Sequence, residues 1–434
     1  MKQTITALFL IILLSFLLAA CVSGQILNPT ITPAPTLTST PTNIITKTAT
    51  FTLAPTISPF PTLTITPLPT ITPKTSYQVI TTDNVSNLHA VDSISIKVNE
   101  IIRIYWSSDN SRLLLWSCLA STGSSCGNFG NALLIIDTQV FKTINTITIY
   151  PDPNTNSGRV FSGDGHLFYN VESVDMVNLE SFFIDADTGR KKGQPYGLNP
   201  SIPGERVLGL DNTGDIYIGN VGYGLFLAKT SSDEVTGSLE TPDGYWFMDP
   251  GVFSNDGKKY AQVIQNKNGV DDQVYIWDLD TGKSTTHFTL IQRPNGWEHI
   301  VFPSLITFSA DGSRLLGYVQ NRGVEQAFIW DLVHLKKIRS IEWATSQASR
   351  ANVALSPDGL LLAGIVENIV QNRPQPVLQI WNIENGEIVA EIPINGSDIS
   401  GLSFSGDGRT IVVGLNNFGN NNDSPQLLFF AANQ

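Results

Sequence analysis

One phrase recurs through the C-terminal half of the chain: Phe253-Ser254-Asn255-Asp256-Gly257, Phe308-Ser309-Ala310-Asp311-Gly312, Leu355-Ser356-Pro357-Asp358-Gly359 and Phe404-Ser405-Gly406-Asp407-Gly408. A unit that returns every 40–50 or so residues marks an array of like modules, and it constrains the fold before any single residue is weighed. The grammar around each copy is constant. An alternating apolar stretch precedes Ser-x-Asp-Gly and a second follows it. A third ends near an acid and a further turn, as in Ile276-Trp277-Asp278-Leu279-Asp280-Thr281-Gly282.

Asp-Gly and Asn-Gly between alternating apolar runs signal hairpins, because such turns need residues that accept positive φ. Ile306–Ser309, Arg314–Val319 and Ala327–Trp330 read as three strands of one copy. The pairs Asp164-Gly165, Asp256-Gly257, Asp311-Gly312, Asp358-Gly359 and Asp407-Gly408 are therefore assigned to structural turns. Weaker copies extend the array towards the N-terminus: Phe161-Ser162-Gly163-Asp164-Gly165, Leu210-Asp211-Asn212-Thr213-Gly214, and Trp106-Ser107-Ser108-Asp109-Asn110 with Asn110 in the glycine place. About seven units result, within the usual four to eight blades of a propeller. The expected fold is all-β, a seven-bladed β-propeller of four-stranded antiparallel blades. The last unit shows only three strands, Leu402–Ser405, Thr410–Leu415 and Gln426–Ala431. Tyr77–Thr82 alternates in strand fashion, and it is expected to supply the fourth strand and close the ring without an open edge.

The Ser-x-Asp-Gly turns, Trp277-Asp278, Trp330-Asp331 and Trp381-Asn382, and the turns Thr281-Gly282 and Asn385-Gly386 together resemble the WD-repeat family over residues 77–434. The resemblance implies a closed ring of four-stranded blades. It departs from the family pattern in two ways. The Gly-His pair is nearly absent, with only His299 of Gly296-Trp297-Glu298-His299 at the usual distance, and the first three units lack Trp-Asp. Ser-x-Asp-Gly also occurs in Tol-system and peptidase-type propellers, so the resemblance to propellers in general is the broader one.

The N-terminus reads as an export signal. Lys2 precedes an apolar run from Ala7 to Leu18, too short to span a membrane but suited to a signal-peptide core. The run ends in Leu18-Ala19-Ala20-Cys21, which resembles the lipobox of bacterial lipoproteins. Small residues give the peptidase access to the backbone, and the Cys21 thiol takes the lipid. Acyl chains contribute about 0.8 kcal/mol per buried methylene, so several of them hold a protein firmly. Residues 1–20 are assigned to a lipoprotein signal peptide. Residues 21–76 form a lipidated Cys21 plus a linker rich in Thr-Pro pairs, such as Thr32-Pro33 and Thr66-Pro67. Proline at this density favours an extended coil, and roughly fifty residues at about 3.1 Å each reach on the order of 150 Å. Its threonines suit O-glycans, and an unmodified spacer fits the composition equally well. The expected location is the cell membrane, lipid-anchored, with the domain on the extracytoplasmic side.

Charge narrows the partners. Lys+Arg 26 against Asp+Glu 38 gives a net charge of −12, and every acid lies at or beyond Asp83. Such a domain is repelled by nucleic acid and by anionic headgroups. The 5 histidines are not paired with one another or with cysteine at ligand spacing, so no metal site and no cofactor is assigned. Asp271-Asp272 reads as a solvated charge pair in a loop. Gly123-Ser124-Ser125-Cys126-Gly127 matches a nucleophile elbow only formally, since that motif needs a strand-to-helix turn in an α/β sheet. Of 3 cysteines, Cys118 and Cys126 remain after Cys21, and an exported compartment permits a disulfide between them, with two free thiols as the alternative.

In an up-down blade the Asp-Gly and Thr-Gly turns share one face. The opposite face takes the connections Thr241–Pro250, Asn266–Gln273, Glu367–Pro376 and Asn416–Gln426, which read as long and irregular. Loops on a rigid scaffold carry binding, so this face is nominated, with Tyr245, Trp246, Trp297, His299 and Trp343 as candidate anchors for a protein segment or a sugar ring. Trp277, Trp330 and Trp381 fall within strands and are assigned to packing. The expected function is a non-enzymatic binding platform. The alternative is a propeller-type hydrolase or lyase acting on glycan or peptide, which needs carboxylates converging at the central pore.

Overall fold

The recurrent turn explains itself in hydrogen bonds. At Ser309–Gly312 the Ser309 hydroxyl donates to Asp311 Oδ1 at 2.6 Å, and the Arg314 amide donates back to Ser309 Oγ at 3.0 Å. Asp311 Oδ1 also accepts the Ser313 amide, and Gly312 sits at φ +68°. The Ser-to-Asp bond repeats at 2.6–2.7 Å in the turns of Ser107, Ser162, Ser254, Ser356 and Ser405. Asn110 takes φ +64° where the other copies use glycine, and asparagine is among the few residues that tolerate that conformation. At the weak third copy Asp211 stands in the serine place, and its Oδ1 accepts the Ile216 amide instead.

This computed structural model describes residues 77–434 apart from 120–131, 149–159, 174–178, 200, 203–204, 223, 233, 248–250, 269–270, 293–301, 322–323, 345–352, 371–372, 397, 417–423 and 433–434. Contacts divide the chain at Ile71/Thr72, and the described residues all belong to the second unit. Among the described residues twenty-eight strands build seven sheets. After β1 (Leu88–Ser95), blade 1 is β2 (Glu100–Trp106), β3 (Arg112–Cys118), β4 (Ala132–Asp137) and β5 (Lys142–Thr148). Blade 2 is β6 (Leu167–Ser173), β7 (Leu179–Asp185) and β8 (Lys191–Gly193), with the bridge Phe161↔Phe168 on its inner side. Blade 3 is β9 (Arg206–Leu210), β10 (Ile216–Val221), β11 (Gly224–Lys229) and β12 (Val235–Leu239). In blade 4 the inner strand is broken into β13 (Tyr245–Phe247) and β14 (Val252–Phe253), followed by β15 (Lys259–Asn266), β16 (Asp271–Asp278) and β17 (Ser284–Gln292). Blade 5 is β18 (Phe302–Phe308), β19 (Arg314–Asn321), β20 (Val324–Asp331) and β21 (Lys336–Ala344). Blade 6 is β22 (Val353–Leu355), β23 (Leu361–Val370), β24 (Arg373–Asn382) and β25 (Ile388–Pro393). Blade 7 is β26 (Asp398–Phe404), β27 (Ile411–Asn416) and β28 (Gln426–Ala432), with β1 as its outer strand. The seven-bladed, four-stranded antiparallel architecture expected from the repeats is the one observed.

An N-terminal strand closes the ring, but it lies later than Tyr77–Thr82. β1 pairs antiparallel with β28 from Leu88↔Ala432 to Ser95↔Gln426. Residues 77–82 instead contribute the single bridge Gln78↔Ala432, the bond from Ile80 N to Gly408 O at 2.9 Å, and the buried side chain of Ile80. Their alternation is cut short at Asn84, whose Oδ1 accepts the Thr81 amide and whose Nδ2 donates to Val79 O. β1 escaped the reading because an outer strand is wet on one side and alternates only weakly.

The core is divided among the joints between blades. Seven apolar clusters stand among the described residues, one at each blade-to-blade contact. Trp277 fills the contact of blades 3 and 4, Trp330 that of 4 and 5, and Trp381 that of 5 and 6. These three indoles are fully or almost fully buried, as their strand positions implied. Small residues make room for two of them. A β-carbon at Gly317 would come within 2.7 Å of the Trp330 ring, and one at Gly364 within 2.9 Å of Trp381.

Candidate binding face

The two ends of the ring differ in construction. At the Asp-Gly end, neighbouring turns are bonded to one another: Ser108 N to Gly163 O, Asp164 N to Asn212 O, Ala310 N to Pro357 O, and Asp407 N to Asn110 Oδ1. Side chains add staples there. The Arg112 guanidinium forks onto Asp187 at 2.8 and 2.9 Å, and His166 Nδ1 lies 2.9 Å from the same carboxylate. The Arg112 and His166 contacts hold the Asp187 carboxyl below its ordinary range, against its partial burial. Arg314 joins blade 5 to blade 6 through Gly359 O and Glu384.

Among the described residues the opposite end shows fewer such ties, with Asn416 bonded to the Ile101 amide and carbonyl across blades 7 and 1, and it is less irregular than its sequence suggested. Glu367–Pro376 is a β-ribbon, paired through Ile369↔Pro374 to Val370↔Arg373 and projecting past the last β25 partner, Val377↔Pro393. Asn266–Gln273 is a hairpin whose strands run up to Gln265↔Asp272. Thr241–Pro250 contains β13, and residues 417–423 of the fourth connection lie outside the described set. Paired strands look like a loop in sequence when prolines are present. Here Pro376 lies on the ribbon's outer side, where its carbonyl accepts the Ile394 amide, and proline is tolerated on such an edge.

The nominated anchors separate. Tyr245 and Trp246 sit on β13 at this end, opposite Asn266 and Gln265 of β15. Trp246 is 43% exposed. Trp343 is 8% exposed on β21, stacked 5.3 Å from Trp381, so it packs blade 5 on blade 6 and presents no ring to a ligand. Trp297 and His299 lie outside the described residues. Cys118 is disulfide-bonded at the end of β3, while Cys126 lies outside the described residues. Cys21 with Leu18, Ala19 and Ala20 lies outside them too. Asp271 and Asp272 prove to be strand residues of β16. Asp272 is buried, with Gln265 Nε2 donating to its Oδ1 at 3.0 Å.

Several residues at this end were not foreseen. Tyr196, Ile202, Val221, Val324 and Ile369 are large apolar side chains, each 38–67% exposed, all in or beside connections of the same face as Trp246. On blade 4, Tyr275 and His287 are cross-strand partners with rings stacked at 4.9 Å and 14°, and Tyr245 lies 6.3 Å from Tyr275. Burial first, then the neighbouring Tyr245 and Asp271, raises the Tyr275 hydroxyl above its usual range. Such pairings depend on strand register, which residue types alone do not reveal.

The central channel holds a cavity of about 280 Å³ between the inner strands, reaching the Asp-Gly end at Ser108, Asn255 and Ala310. Its lining contains one charged residue, Arg103, and no carboxylate or imidazole. The carboxylate pair that glycoside hydrolysis requires is therefore not assembled by that lining. Among the described residues no cluster of His, Cys, Asp and Glu is placed to hold a metal, and no helix is long and apolar enough to cross a membrane.

These features define a seven-bladed β-propeller. No protein-family model and no curated protein sequence matches the chain. Among solved structures it is similar to the β-propeller domain of Myceliophteria thermophila Cps50 (Swd1), at 12% identity and TM-score 0.52, over 79% of this chain and 100% of that one. Kuenenia stuttgartiensis hydrazine synthase aligns at 14% identity and TM-score 0.49, over 76% of this chain and 96% of that one. At 12% identity the likeness to the Cps50 domain is one of fold.

Proposed function

We propose that the chain is a lipid-anchored lipoprotein of the cell membrane whose propeller, held on the extracytoplasmic side by Cys21 and the Thr/Pro-rich linker, is a non-enzymatic binding platform for a protein or glycan. The observation that carries this reading is the asymmetry of the two ends. One is closed by turns bonded to each other. The other holds the exposed aromatic residues, Tyr196 and Trp246, beside Ile202, Val221, Val324 and Ile369, whereas the exposed apolar groups of the Asp-Gly end, such as Val140, Val333 and Leu335, are aliphatic. Exposed apolar groups gathered on one face mark an interaction surface, and aromatic residues are favoured anchors. The Lys2-to-Cys21 pattern supports the anchor, and the net charge of −12 argues against nucleic acid as the partner.

Two measurements test it. Radiolabelled palmitate should enter the wild-type chain and not Cys21→Ala, and labelling of both would remove the anchor. Photo-crosslinking from the rim in living cells should capture a partner with the wild-type chain. Trp246→Ala and Ile369→Asp should lose it, and Val333→Asp on the Asp-Gly end should retain it. A partner lost only with Val333→Asp would reverse the assignment of faces.

A further inference from the structure

Blade 4 stands taller than blade 3. Both start from their Asp-Gly turns, yet β15 and β16 have 8 residues each where β10 and β11 have 6. Two residues at about 3.3 Å each leave blade 4 roughly 7 Å higher at the rim. Its outer strand β17 has 9 residues against 5 in β12. The side of blade 4 that faces blade 3 is fixed by Tyr260 and Trp277, which pack on Leu208, Ile218 and Leu225. Side chains alternate along a strand, so Tyr275, Gln273 and Asp271 follow Trp277 on that same side, up the raised part of the wall.

What this wall carries is specific. Tyr275 and exposed His287 form the stack, with Tyr245 beside them on the inner strand. Gln273 Nε2 donates to Asp271 Oδ2 at 2.5 Å, while Gln273 Oε1 is buried and has no hydrogen-bond partner. That acceptor is closed to solvent, so Gln273 serves the wall by holding the Asp271 carboxylate in place. Flat rings beside a carboxylate and an amide meet a molecule with an apolar C–H face and a rim of hydroxyls. Orientation in ligand sites comes from a few placed polar groups on an otherwise apolar and aromatic lining.

We propose that the step between blades 3 and 4 is a saccharide-binding site, in which a pyranose ring lies on the Tyr275–His287 stack and its hydroxyls donate to the Asp271 carboxylate that Gln273 positions. The Asp271 carboxylate repels an acidic sugar, so the ligand is a neutral hexose or N-acetylhexosamine unit rather than a uronate. This rests on the platform reading and names the ligand class of one part of its rim.

The test titrates the full-length chain in detergent with chitotriose, cellotriose, maltotriose and trigalacturonate, followed by calorimetry. At least one neutral trisaccharide should bind, and trigalacturonate should not. His287→Ala and Gln273→Ala should each weaken binding by about tenfold or more, with thermal unfolding as in wild type. Because Tyr275 touches Trp277, Tyr275→Ala is read only alongside the exposed His287 variant. Asp271→Asn should admit trigalacturonate. Binding unchanged in both His287→Ala and Gln273→Ala overturns the site, as does no neutral trisaccharide binding below about 10 mM, the weak end of measurable affinity. So does a protein crosslinked from position 273 that these sugars do not displace. In that last case, or if the rim variants lose a protein partner while no sugar binds, the platform stands and only the saccharide site falls.

Discussion

The Ser108 hydroxyl of blade 1 donates to Asn212 Oδ1 of blade 3 across 2.6 Å, passing over the turn of blade 2 that lies between them. The intervening residue is Gly163, where a β-carbon would fall 2.0 Å from Asn212 Oδ1 and 3.1 Å from its Cα. The middle position of Ser-x-Asp-Gly, variable elsewhere, is thus restricted here by the next blade's backbone. Overpacking of this kind costs about 1–3 kcal/mol. Gly163→Ala should lower the urea midpoint without changing the slope of unfolding. Ala310, the same position in blade 5, should accept glycine with a loss under about 1 kcal/mol.

The tryptophans on either side of the packing-or-binding division should behave oppositely. Trp330 is 1% exposed and fits over Gly317, so Trp330→Ala should cost about 3–5 kcal/mol. Trp246 is 43% exposed at the rim, and Trp246→Ala should stay within about 0.5 kcal/mol of wild type, as surface changes usually do. Chemical denaturation of the two variants measures both. A large loss from Trp246→Ala would make it part of the scaffold and remove it from the binding face.

The closing strand gives a sharper contrast. β1 pairs with β28 over its whole length and supplies the outer edge of blade 7, whereas residues 77–82 hold on by one bridge, the bonds Ile80 N to Gly408 O and Arg409 Nη1 to Tyr77 O, and the buried Ile80. Removing 88–95 should abolish a single cooperative transition, since blade 7 would expose an open edge. Removing 77–82 should leave the transition cooperative and lower its midpoint by the loss of the buried Ile80, about 2–5 kcal/mol for such a side chain. Calorimetry distinguishes these outcomes. Equal effects would mean that the two segments close the ring together.

The repeats were legible because a hairpin turn is local chemistry. Ser309, Asp311 and Gly312 each have a role inside five residues, so blade number and the want of a fourth strand in blade 7 follow from counting them, but the place of that strand at β1 does not. The step at blade 4 was not legible, because it arises from two extra residues in each of β15 and β16 and from the register that sets Tyr275 against His287. The ribbon Glu367–Pro376 was misread for a related reason. Its strands pair with each other beyond the blade, and two prolines at its outer edge disguise them as a loop. Trp343 looked like a rim aromatic, but β21 runs on to Ala344 and brings its ring under Trp381.

Acid should weaken the ring through the second turns of the blades, whose acids hold the backbone. Burial works against ionisation of Asp185, but bonds from Lys192 and from the Thr188 hydroxyl and amide outweigh it, and its pKa falls to about 2 from 3.8. The His334 amide and ring, with the Val333 amide, bring Asp331 to about 2 as well. A carboxyl whose native pKa lies below its unfolded value adds stability that is complete above the unfolded pKa and is lost as pH falls through the native one. Stability should therefore decline between about pH 4 and pH 2, and Asp185→Asn should flatten that decline. Asp211 has the opposite sign. Burial raises its pKa against the bonds from Ile216 and Thr213, so its contribution favours the fold at low pH and is lost as pH rises through the native pKa. Asp211→Asn keeps an acceptor for the Ile216 amide without a buried charge. It should raise the denaturation midpoint at neutral pH and lose that advantage in acid, and an unchanged midpoint at neutral pH would show that the Asp211 carboxylate is not penalised there.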